Sequence, residues 1–182
     1  MPSLSDAERK AILELARRAV VEAVGNLHRT KPIPNEGIFA MPCGVFVSLH
    51  VDGRLRGCIG VVEPREGLGE SIVRCAAGAA LEDPRFAHMR PEEAARAEIE
   101  VSLLSAMRPI RPEEIEIGTH GLLIERDGRR GLLLPQVAVE HHLGREEFLR
   151  ETCVKAGLPP RSWEAEGTSL LGFTCQIVKE QN

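Results

Sequence analysis

An α+β fold built on antiparallel sheet is the class this sequence predicts. Three features lead to it. Helical and strand-like periodicities interleave along the chain, the strand-like runs come as hairpins closed by Asp-Gly pairs, and no βαβ alternation occurs. With 182 residues, 43% of them apolar, the chain can bury a proper core as one domain or as two intimately packed lobes.

The elements follow in order. Ser5 and Glu8 form a capping box, and Ile12, Ala16, Ala19, Val20, Ala23 and Val24 repeat at helical spacing until Gly25-Asn26. KPIPNEGIFAMPCG, with three prolines and two glycines, predicts an ordered connection containing one short helical turn. VFVSLHV and RLRGCIGVV flank Asp52-Gly53, a pair that tolerates positive φ at both positions of a two-residue turn. Residues 66–81 are helical in pattern with small side chains, suited to close packing on a flat surface, and Asp83-Pro84 stops them. A short helix over Pro91–Ala97 leads into EIEVSLLS, where Ile99, Val101 and Leu103 alternate with polar residues as in a half-buried strand. Turn-like sequence over Pro109–Pro112, the loop THG, a second hairpin HGLLIERDGRRGLLLPQV, a helix over Arg145–Ala156 and a last strand LLGFTCQIV complete the chain.

Composition excludes several functions. The formal charge is −4, neither sign clusters, and aromatic residues are scarce, so nucleic acid is not an expected partner. The start MPSLSDAERK has no apolar signal core and no run of eighteen apolar residues occurs, so a cytoplasmic protein without a membrane span is expected. Five scattered cysteines, none in a CxxC, suggest reduced thiols and no zinc site. Walker, GxGxxG, HExxH and GxSxG signatures are absent, so no cofactor is expected.

RLRGCIG holds the strongest candidates. A two-residue hairpin loop pairs residues whose numbers sum to 105, which sets Val47 against Cys58 and Leu49 against Arg56. Arg56 and Cys58 then share one face, and Phe46, Leu55, Ile59 and Val61 form the apolar face, unless a bulge at Gly57 inverts the assignment. Gly57 and Gly60 mark a close approach, either of a ligand or of a packed helix such as that containing Ala76, Ala77 and Ala79. Cys58 is either a small core residue or a thiol made reactive by the Arg56 cation. His120, in its glycine-flanked loop, could form a thiolate dyad with Cys58 if the fold joins them. Glu100 is either solvated or, if its strand lies beside that of Cys58, an ion-pair partner of Arg56. His141-His142 adjoin on a helix and point different ways, unlike a zinc helix, and His50 reads as structural.

LRGCIG at 55–60 is identical to the six-residue hallmark of the AMMECR family. EDPRF at 82–86, EIEVSLLS at 98–105, IGTHGLLI at 117–124, LLPQVAVE at 133–140 and CVKAGL at 153–158 resemble the same family in the same order. The resemblance implies a larger lobe, mapped here to residues 1–107 and 165–182, and a smaller inserted lobe over 108–164. It also implies that the hallmark strand, with Arg56 and Cys58, faces a cleft between the lobes, His120 belonging to the other lobe. Family members are similar to components of systems that include a Memo-like domain and a radical S-adenosylmethionine protein, which implies modification of a macromolecule. Two readings follow: a reactive thiol at Cys58 assisted by Arg56 and His120, or a non-catalytic module or scaffold that clamps a protein partner.

Overall fold

The computed structural model describes residues 3–28 and 31–180. It divides into two compact units, Met1–Leu104 with Gln176–Asn182, and Ser105–Cys175. Both combine helix with antiparallel strand, as an α+β chain does.

In the first unit, helix α1 (Asp6–Val24) starts on the capping box: the Ser5 hydroxyl accepts the Glu8 N–H at 3.3 Å, and Glu8 accepts the Ser5 N–H at 2.8 Å. Gly25 closes it. The proline-rich connection contains one 3-10 turn at Gly37–Ala40. Strands β1 (Val45–Val51) and β2 (Arg54–Val61) form the hairpin, and Asp52 and Gly53 turn with φ of 53° and 72°. Helices α2 (Leu68–Leu81) and α3 (Pro91–Arg96) precede strand β3 (Glu98–Leu104). The sheet runs β2–β1–β3, so β2 is its outer strand. Val45, Val47 and Leu49 pair in register with Leu103, Val101 and Ile99, and all six are buried in one core with the apolar stripes of α1 and α2. Burying each such side chain contributes about 1.5–3 kcal/mol.

The hairpin register departs from the turn-derived one. Val51 and His50 pair with Arg54 and Leu55 as the two-residue turn requires, but a bulge follows, and Leu49 pairs with Gly57, Ser48 with Cys58, Val47 with Ile59 and Phe46 with Gly60. Arg56 is the extra residue. One inserted residue exchanges the faces, so Gly57, Ile59 and Val61 join the core side with Val45, Val47 and Leu49. Phe46, expected on that side, shares the opposite face with Cys58, and Leu55 is exposed.

In the second unit, strand β4 (Arg108–Pro109) and a 3-10 turn at Pro112–Glu114 precede the hairpin of β5 (His120–Arg126) and β6 (Arg129–Leu133). Asp127-Gly128 turns with positive φ, as Asp52-Gly53 does. Helices α4 (Pro135–Glu140) and α5 (Arg145–Lys155) follow, then strand β7 (Ser169–Lys179), which pairs with β5 and β4. Leu122, Phe148 and Leu149 centre one core cluster, Ile124 and Cys153 another. His120 begins a strand instead of lying in the loop, and His141 and His142 lie at the end of α4, where His142 has φ 51°. β7 continues past Cys175 into the first unit, where the Glu180 N–H donates to the Ile99 carbonyl at 3.2 Å.

Candidate functional site

The bulge aims Arg56 away from Cys58. Its Nε donates to Glu93 Oε1 at 2.9 Å, and its Nη2 donates to Glu93 Oε2 and to the His88 carbonyl, each at 3.3 Å. This fork is the strong, bidentate kind of ion pair, and it takes the Glu93 carboxyl down to about 2, the Arg90 N–H assisting. The expected pairing with Glu100 does not form, because β1 stands between β2 and β3; Glu100 lies 3.7 Å from Lys179 Nζ instead.

The glycines are accounted for by packing. A Cβ at Gly57 would fall 1.9 Å from the Ala79 carbonyl oxygen of α2, so only glycine lets the helix backbone reach the strand. A Cβ at Gly60 would fall 2.2 Å from the Phe46 ring, which lies over it on the Cys58 face.

Cys58 is held by its backbone. Its N–H donates to Asp83 Oδ2 at 2.8 Å. Asp83, only 5% exposed, also receives Arg85 Nη2 at 2.7 Å on that oxygen, and Arg85 Nε at 2.9 Å and the Arg85 N–H at 3.1 Å on the other. The Arg85 hydrogen bonds hold the Asp83 carboxyl well below the usual carboxylate range, despite burial. They also raise the Arg85 guanidinium above its ordinary value, and Cys58 is close enough to add to that. The Phe86 ring supports Arg85 at 5.3 Å and Arg56 at 6.0 Å.

The half-buried Cys58 thiol accepts the Ser48 hydroxyl at 3.3 Å. Ser48 pairs in register with both Cys58 and Glu100, so these three make one polar rung across β2, β1 and β3. Chemically, the rung offers a thiol with a hydroxyl donor on one side and a clamped guanidinium beyond its backbone. Among the described residues no three His, Cys, Asp or Glu side chains are grouped to hold a metal ion, and no helix is long and apolar enough to cross a membrane.

The family model AMMECR1 matches residues 13–178. The chain belongs to the AMMECR1 family. A Methanothermobacter thermautotrophicus protein is 40% identical over 185 residues, covering 97% of this chain and 96% of that one. A Thermococcus gammatolerans protein is 40% identical over 195 residues, covering 100% and 94%. The crystal structure of the uncharacterized protein PH0010 from Pyrococcus horikoshii is similar with a TM-score of 0.91 at 37% identity, over 98% of this chain and 94% of that one.

Within this AMMECR1-family chain, Arg56, Gly57, Cys58, Gly60 and Glu100 lie in the first unit and His120 in the second. His120 Nδ1 accepts the Glu116 N–H at 3.0 Å, which leaves the neutral ring its proton on Nε2 and makes that nitrogen a donor, not the base a dyad needs. Ser48, Asp83, Arg85, Phe86 and Glu93 join the site only through tertiary contacts, although Asp83, Arg85 and Phe86 all lie in the EDPRF stretch. Ser48 was legible only through the correct register, and Asp83-Pro84 reads locally as a helix stop.

Proposed function

We propose that this AMMECR1-family protein serves a macromolecule-modification system by receiving a protein or another large substrate at Cys58, whose thiol is the group offered to it. One observation carries this reading: the backbone around Cys58 is locked by Asp83 and by the Ala79 contact at Gly57, while the thiol itself stays half-buried with a hydroxyl donor at 3.3 Å. A fixed backbone beneath a partly accessible nucleophile is the preorganisation that such chemistry uses. Memo-like and radical S-adenosylmethionine proteins are the partners beside which it would work.

A second reading, a non-catalytic module or scaffold that clamps a protein, draws support from Arg56, Gly57 and Gly60, each committed to packing or to an ion pair. Affinity capture from cell extract with the native protein and with Cys58→Ala separates the two. A partner bound by the native protein and lost only in the variant supports chemistry at the thiol; one kept equally by both refutes it in favour of the module.

A further inference from the structure

Resting on the reading of Cys58 as the functional thiol, we infer that Arg85 binds a carboxylate of the molecule brought to that thiol, and that Asp83 is the residue that positions Arg85 for it. Strand spacing nominates Arg56 as the cation of this site, but its Nε and Nη2 are held by Glu93 and the His88 carbonyl, and its one unpartnered nitrogen, Nη1, is buried where a ligand does not reach it. Arg85 is placed differently. Asp83 Oδ2 accepts both the Cys58 N–H at 2.8 Å and Arg85 Nη2 at 2.7 Å, so the strand backbone at the cysteine and the guanidinium share one acceptor atom. The Nε bond at 2.9 Å makes the clamp two-point and fixes the direction of the group.

What the clamp leaves open decides the ligand. The Arg85 side chain is 56% exposed, and Nη1 has no protein partner among the described residues. Three donors on Arg85 are turned to Asp83, and the outer edge presents the parallel N–H pair that matches a planar two-oxygen anion. A dianionic phosphate fits less well, since Asp83 already offsets the one charge that Arg85 carries. Two other cationic side chains reach this face: His50 sits opposite Leu55 and Glu98, on the turn side of the bulge, and Lys179 is paired with Glu100 at 3.7 Å.

The test compares alkylation of Cys58 by iodoacetate and by neutral iodoacetamide at one pH, following the Cys58 peptide by mass spectrometry. The ratio of the two rates cancels the thiolate fraction and reports the charge that meets the reagent's carboxylate. Arg85→Gln should lower the ratio about threefold, as expected for a nearby cation in a largely aqueous setting. Arg85→Lys should restore most of it, Arg56→Gln should leave it close to native, and circular dichroism should show all variants folded. An Arg85→Gln ratio equal to that of the native protein, or an equal loss in Arg56→Gln, overturns the assignment. Because the ratio is read on the isolated protein, it stands or falls separately from partner capture by Cys58→Ala.

Discussion

Adding one methyl group at either of two glycines should change stability with opposite signs. At Gly57 a Cβ would lie 1.9 Å from the Ala79 oxygen and 2.9 Å from its carbonyl carbon. These are backbone atoms of α2, which cannot swing aside as a side-chain end would, so the helix or the strand must move bodily. Overpacking of this kind costs at the upper end of about 1–3 kcal/mol. For a chain of this length that lowers the melting temperature by roughly 6–12 °C. At Gly78, on the same helix, a Cβ would meet Ile59 at 3.4 and 3.6 Å, which is ordinary contact. Alanine there also removes the backbone entropy that glycine loses in a helix, about 0.5–1 kcal/mol. Thermal unfolding followed by circular dichroism should therefore show Gly57→Ala well below the native protein and Gly78→Ala level with it or a few degrees above. If Gly57→Ala melts with the native protein, or Gly78→Ala falls as far, α2 does not approach β2 through the gap that Gly57 leaves.

Two further outcomes follow from the same geometry. The Glu93 carboxyl titrates at about 2 against an ordinary 4.5 and Asp83 is displaced the same way, so their contribution is complete above the ordinary carboxylate range and is lost as pH falls toward 2. Glu93→Gln should flatten the acid limb of melting temperature against pH over that window; a limb of unchanged slope would show that the Arg56–Glu93 pair is not its source. Alkylation of the native protein should modify Cys58 well before Cys75 and Cys153, which are buried, burial pushing the Cys75 thiol up to about 11 and the Cys153 thiol upward. Peptide mapping that finds Cys75 modified as fast as Cys58 would contradict the packing of α2.

Local chemistry made much of the architecture readable. The Ser5–Glu8 box, the two Asp-Gly turns and the alternation of Ile99, Val101 and Leu103 each act within a few residues, where side-chain type dictates backbone geometry. The site was less legible for a physical reason. A turn fixes register only as far as the first irregularity, and nothing in RLRGCIG announces that Arg56 is skipped by the ladder. The bonds that then define the site are tertiary: Cys58 meets Asp83 25 positions away, and Arg56 meets Glu93 37 positions away. The alternative offered for Gly57, a packed small-residue helix, is the one that forms, with Ala79 as the contact.

The Asp83 bond to the Cys58 N–H has a second consequence. β2 is the outer strand of its sheet, and an outer strand with unpaired N–H groups is a template on which another chain can pair and aggregate. A buried carboxylate seated on one of those groups, with an arginine fastened behind it, denies the position to an incoming strand. The contact that orients the cysteine thus also serves as a guard on the exposed margin of the sheet, and Asp83→Ala should be judged by its solubility on concentration as well as by its chemistry.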